Sequence, residues 1–215
     1  MSKKIKALIF DLDGILVSTE HNHFIAWKNT AKVLGISFDK YDNEQLKGIS
    51  RADSLKKILA LGNKTISEQY FNELLTKKND FYLNSIQTLN QENVLPGVLN
   101  LLKKAQEFGL KCAVGSSSKN ARFILTKLDI DRYFNVIVDG SDVSHPKPHP
   151  EVFIKGAELM GVDPAECIVF EDAQSGIQAA KAGGFLAIGV GNPALIDQAT
   201  YYLTTLNEFI LEEYA

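Results

Sequence analysis

The segment Phe10-Asp11-Leu12-Asp13-Gly14 sets two carboxylates two residues apart, directly behind the apolar run Ala7 to Phe10. Asp11 can act as a nucleophile through its carboxylate. Asp13, two residues on, can reach the bridging oxygen from the other side and move its proton as general acid and base. A Ca²⁺ loop also opens Asp-x-Asp-Gly, but it needs an oxygen ligand at its fifth position and a Glu at its twelfth, where this chain has Ile15 and Asn22. Three further polar groups follow short apolar runs. They are Ser116-Ser117-Ser118-Lys119-Asn120, then Lys147 within His145-Pro146-Lys147-Pro148-His149-Pro150, and Glu171-Asp172. Each alone has an ordinary reading beside the chemical one, as a capped loop, a rigid proline loop or a solvated turn. Together they supply what phosphoryl transfer requires: a nucleophile, charge neutralisation and alignment.

Mg²⁺ takes a few hard oxygens and keeps several waters, which suits Asp11, the backbone carbonyl of Asp13, Asp172 and Glu171 as a direct or outer ligand. Ser116 and the first amides of the following helix can hold phosphoryl oxygens, and Lys147 can neutralise their charge. The alternating prolines restrict the loop around Lys147, and its X-Pro bonds are candidates for a cis peptide. His21 and His23 stand two apart, so on a helix they point to different faces and do not form a metal pair.

The elements that position these residues follow an α/β rhythm. Predicted strands are Lys6 to Phe10, Lys111 to Gly115, Val136 to Val138, Cys167 to Phe170 and Leu186 to Val190. Between them the periodicity predicts helices around Val98 to Phe108, Ala121 to Leu128, Glu151 to Met160 and Gly176 to Ala182. The fold class is therefore α/β, a Rossmann-like parallel sheet whose strand ends converge on one edge. From about Glu20 to Leu89 only helical spacing is found, with Leu55, Ile58 and Leu59 marking one helix and Phe71, Leu74, Leu75, Tyr82 and Ile86 another. These residues read as a helical cap inserted after the first strand. The expected division is 1–17 plus 90–215 for the core and 18–89 for the cap.

Composition narrows the partners. With 45% hydrophobic and 23% charged residues the chain is ordinary globular material, and a formal charge of −3 offers no basic field for nucleic acid. The apolar run ending at Phe10 is too short for a signal or a membrane span, so a cytoplasmic chain is expected. Cys112 and Cys167 lie inside predicted strands and read as reduced core thiols. The expected partner is a small molecule, and a monomer is the default.

These residues resemble the haloacid dehalogenase superfamily from Ile5 to about Gly191. The resemblance rests on Asp11-Leu12-Asp13-Gly14, Ser116, Lys147-Pro148-His149-Pro150 and Glu171-Asp172-Ala173-Gln174-Ser175-Gly176-Ile177. A narrower resemblance, to its sugar phosphomutases, lies in the insert: His23 to Lys28, Asn43 to Leu55 and Lys77-Lys78-Asn79-Asp80. It implies movement of phosphate between C1 and C6 of β-glucose phosphates through a phospho-Asp11 enzyme, with Mg²⁺ and with β-glucose 1,6-bisphosphate as intermediate. It further implies that Arg51 binds the phosphate distal to the chemistry and that Gly48, Ile49, Ser50 and Ser54 shape a sugar pocket. His23 would assist Asp13, Lys78 and Trp27 would each contact substrate, and Thr19 would sit at the hinge. Ser116, Ser117, Ser118, Lys119, Asn120 and Lys147 would hold phosphate in the core. Without the resemblance, His23 and Trp27 are one face of a packed helix. Ser18 departs from the pattern, since relatives usually carry Asp there, and Gly115 and Ser117 stand where alanine is commoner. A sugar-phosphate hydrolase would use the same carboxylates. A non-catalytic sensor would be expected to have lost one of Asp11, Asp13 and Asp172, all of which are present.

Overall fold

The computed structural model describes residues 4–193 and 197–214, so the ends of the expected core range and 194–196 lie outside it. The chain divides into two compact units, Met1–Ser18 with Leu89–Ala215, and Thr19–Thr88.

The first unit is built on a six-stranded sheet whose pairings are all parallel. Its strands are β1 (Ala7–Phe10), β2 (Lys111–Gly115), β3 (Val136–Val138), β4 (Cys167–Glu171), β5 (Leu186–Val190) and β6 (Tyr201–Leu203), in the order β3-β2-β1-β4-β5-β6. β1 lies at the centre, and all four of its residues are buried. This is why the sequence there is a continuous apolar run rather than an alternation: a parallel strand is covered on both faces. Helices α5 (Val98–Glu107), α6 (Ala121–Lys127), α7 (Glu151–Met160) and α8 (Gln174–Ala182) connect the strands. In α7 the buried set Val152, Phe153, Gly156, Ala157 and Met160 follows helical spacing, and it joins Ile9, Ala113, Val138 and Val169 in one core cluster. Full burial of a side chain such as Phe153 contributes about 1.5–3 kcal/mol over exposure.

The chain runs from β1 to β2 to β3 on one side, then resumes at β4 on the other. The order reverses at β1 and β4, which makes their carboxyl ends the switch point where ligands bind in open parallel sheets. Asp11 follows the first strand and Glu171 ends the second, so the carboxylates predicted to react stand at that crevice.

The second unit contains only helices: α1 (Glu20–Val33), α2 (Lys40–Glu44), α3 (Arg51–Leu61) and α4 (Glu68–Ser85). Ser50 caps α3 by accepting from the Asp53 N–H, and Ser67 caps α4 by accepting from the Tyr70 N–H. Trp27, Ala31, Leu55, Ile58, Leu59 and Leu74 form its own apolar core. Ile86, expected to extend the last helix, is its C-cap residue.

β6 was not expected from the pattern. It has three residues, with Tyr201 and Tyr202 exposed at the sheet edge, so it shows neither an apolar run nor an alternation long enough to read. The β4 strand runs one residue beyond the expected Phe170 because Glu171 itself pairs with Gly189.

Candidate active site

Asp11 leaves β1 with its N–H bonded to the Phe170 carbonyl at 3.0 Å, which ties the residue to the β4 side of the crevice. Its side chain is 91% covered. Lys147 reaches it from the loop between β3 and α7, with Nζ donating to Asp11 Oδ1 at 2.5 Å and to Glu171 Oε1 at 2.6 Å. The lysine is buried, and its Nζ stands 4.6 Å from the centre of the Phe153 ring. Glu171 is fully buried and turns its other oxygen to the Ala173 N–H at 2.9 Å. The loop from 144 to 150 is held by Glu151, whose carboxylate accepts the N–H groups of Ser144 and His145, both at 2.8 Å. The Lys147-Pro148 bond is cis.

Burial raises the Asp11 carboxyl to about 7, with Lys147 pulling against it and Glu171 and Asp13 adding to it. For Lys147, burial works against the charged form, but Asp11 and Glu171 outweigh it and leave the ammonium above its ordinary value. Asp11, Glu171 and Asp172 each offer a carboxylate oxygen, and these lie within 4.8 Å of one another. The donors are all hard oxygens with no imidazole or thiolate among them, which fits Mg²⁺. The charge balance fits too: three carboxylates gather where one buried ammonium is bonded to two of them, Asp11 and Glu171. The Asp13 side chain is not part of that oxygen group.

Two glycines leave room for these acids. A Cβ on Gly14, whose φ is +84°, would fall 2.1 Å from Asp172 Oδ2, and one on Gly176 would fall 1.8 Å from Glu171 Oε1. Both positions therefore exclude side chains for a reason tied to the acids themselves.

Ser116 follows β2, the other neighbour of β1. The register Phe10↔Val114 places Asp11 and Ser116 at adjacent strand ends. Ser116 is buried, its N–H donates to the Val138 carbonyl at 3.0 Å, and its Oγ accepts the Ser118 N–H at 3.1 Å. Ser118 Oγ accepts from the Asn120 N–H at 3.2 Å in turn. Ser117 and Asn120 are partly covered and Lys119 is exposed. The loop is thus a hydroxyl-organised turn ahead of α6.

The expected cap residues gather within their own unit. Thr19, the first residue of that unit, is buried with Oγ1 2.8 Å from the Tyr82 hydroxyl. Lys78 is buried, 2.9 Å from His23 Nδ1, with its Nζ 4.6 Å from the Trp27 ring centre and 4.8 Å from that of Tyr82. Arg51 is the first residue of α3, and burial lowers its pKa, with Tyr82 and Asp80 opposing. Gly48 adopts φ +72°, Ile49 and Ser50 are half-buried, and Ser54 is buried with Oγ donating to the Ser50 carbonyl at 3.0 Å. His21 is exposed.

Spacing alone does not reveal two of these contacts. Tyr82 contacts Thr19, His23 and Lys78 but reads in the sequence as an apolar position, although its hydroxyl is a polar handle that seeks a partner when buried. Phe153, under the Lys147 ammonium, shows no signal beyond helical spacing.

The fold is a parallel α/β sheet with an Asp-x-Asp pair behind its central strand, a serine behind the next, and a buried lysine joining Asp11 to Glu171 at the end of β4. The chain belongs to the haloacid dehalogenase-like hydrolase family, whose model matches residues 5–184. It is 42% identical over 191 residues to a β-phosphoglucomutase of Bacillus subtilis, covering 87% of this chain and 84% of the relative. A crystal structure of β-phosphoglucomutase from Clostridium difficile superposes with a TM-score of 0.94 at 37% identity, over 97% of this chain and 95% of that one. A fructose-1-phosphate phosphatase of Escherichia coli is 31% identical over 88% of this chain and 98% of its own length. Among the described residues no helix is long and apolar enough to cross a membrane.

Proposed function

We propose that this chain is a Mg²⁺-dependent phosphomutase interconverting β-D-glucose 1-phosphate and β-D-glucose 6-phosphate through phospho-Asp11, with β-glucose 1,6-bisphosphate as intermediate. The chemistry is carried by one observation: a buried lysine bonded to both Asp11 and Glu171 at the sheet's switch point. Asp11 Oδ attacks phosphorus, and the bond from phosphorus to the departing sugar oxygen breaks. Asp13 delivers a proton to that oxygen, then accepts one from the hydroxyl that attacks phospho-Asp11 in the second half of the reaction. Lys147 keeps Asp11 in place and offsets charge on the transferring group, and the Ser116 turn supplies donors for its oxygens. Mg²⁺, held by Asp11, Asp172 and the Glu171 side, would neutralise phosphoryl charge when bound.

The choice of sugar as acceptor is supported by the similarity to β-phosphoglucomutase. A mutase must also keep water from phospho-Asp11. The second reading, a sugar-phosphate hydrolase with the same acids, is favoured by the similarity to the fructose-1-phosphate phosphatase. Supplying β-glucose 1-phosphate with a trace of the bisphosphate separates them. Conversion to glucose 6-phosphate without free phosphate supports the mutase, and stoichiometric phosphate release selects the hydrolase.

A further inference from the structure

The loop that delivers Lys147 carries a second group of ligand-type side chains on its outer side. His145 and His149 stand two residues either side of Lys147, and Glu151 opens α7. Each of the three offers a ligand atom, and these lie within 4.8 Å of one another. The two imidazole centroids are 4.7 Å apart with the rings tilted by 36°. His145 Nδ1 lies 2.8 Å from Glu151 Oε2. His149 Nδ1 accepts the Glu151 N–H at 3.3 Å, a bond that an ion held at this nitrogen would replace. Both histidines are exposed and open to solvent ions.

The arrangement is held in advance. Glu151 accepts the Ser144 and His145 backbone N–H groups. Those bonds and His145 hold its carboxyl down at about 2, so it is ionised at any working pH. Pro146, Pro148 and Pro150 each fix a φ angle in the segment between the ligands. A site whose donors are already gathered loses less entropy on binding.

The donor chemistry differs from that of the strand-end acids. Two imidazoles and one carboxylate are the protein ligands of open tetrahedral Zn²⁺ sites, whereas an all-carboxylate group suits Mg²⁺. We propose that His145, His149 and Glu151 form a surface site for a divalent first-row transition ion, Zn²⁺ being the test case, separate from the Asp11, Glu171 and Asp172 group. Occupancy would tie together the two ends of the loop that presents Lys147.

Calorimetric titration of Zn²⁺ into the tag-free full-length chain, with Mg²⁺ saturating, tests this directly. One Zn²⁺ equivalent is expected in the parent and in Asp172→Asn, and none in the double variant His145→Ala/His149→Ala. Loss of outer partners alone costs metal sites 10–100-fold, so each single histidine variant is expected to bind at least about tenfold more weakly. Both histidines are exposed, so the variants keep the fold, which circular dichroism checks. Undiminished binding in the double variant, or no binding in the parent, overturns the proposal.

Discussion

Replacing Lys147 by Met keeps much of the side chain's length but removes the ammonium that joins Asp11 to Glu171. At an effective dielectric of about 20, each of these close pairs is worth roughly 4 kcal/mol of gross attraction. Desolvation offsets much of that. The net cost of removing one member of a buried charge cluster is about 3–5 kcal/mol, because the remaining charges are left uncompensated. Here the cost falls on Asp11 and on Glu171, which is fully buried and keeps the Ala173 N–H on its other oxygen. For a chain of this size each kcal/mol moves Tm by about 2–4 °C, so Lys147→Met is expected to lower Tm by about 6–20 °C at neutral pH. The sign with pH also follows. The lysine's pKa is raised in the folded state, so its contribution is complete below the ordinary lysine range and is lost only as pH rises above it. In metal-free protein the Asp11 carboxyl should titrate above about 7 in the variant, since Lys147 is what pulls it down. Differential scanning calorimetry and carboxyl ¹³C titration measure the two effects. A Tm within 2 °C of the parent, or an Asp11 titration that moves down, would refute the reasoning.

Other consequences are as direct. Because Asp11 binds a proton up to about pH 7 without metal, Mg²⁺ affinity should rise by up to about tenfold per pH unit below 7 and level off above it; the stability of the metal-free chain should fall over pH 4 to 7, where the folded state holds the extra proton. Calorimetric Mg²⁺ titrations that are flat from pH 5 to 8 would contradict this. Gly176→Ala places a Cβ 1.8 Å from Glu171 Oε1 and is expected to cost about 1–3 kcal/mol by denaturant unfolding and to weaken Mg²⁺ binding; unchanged stability would show that Glu171 has room to move. Tyr82→Phe removes the bond to Thr19 and is expected to cost about 0.5–1.5 kcal/mol of stability, and an equal Tm would disprove the coupling.

Much of this architecture is legible in the sequence because buried parallel strands are continuous apolar runs and polar residues interrupt them at their ends. Asp11, Ser116 and Glu171 each announce a strand end in that way. The helical insert is visible through the spacing of Leu55, Ile58 and Leu59. What the pattern does not carry is side-chain direction across distant segments. Nothing in His145 to Pro150 says that Lys147 turns inward to bond two acids while both histidines stay outside. Likewise, Tyr82 counts as one more apolar position on α4 until its hydroxyl is seen 2.8 Å from Thr19, 63 residues away. The edge strand β6 escapes because two of its three residues face solvent, so burial leaves no signature there.

The central claim is that Asp11 takes the phosphoryl group onto its own carboxylate. Brief exposure of the Mg²⁺-loaded chain to labelled β-glucose 1,6-bisphosphate, followed by acid quench and peptide mapping, tests it most directly. One phosphoryl group per chain on the peptide containing Asp11, absent from Asp11→Asn, is the predicted result; label on another residue, or turnover that survives in Asp11→Asn, would contradict it.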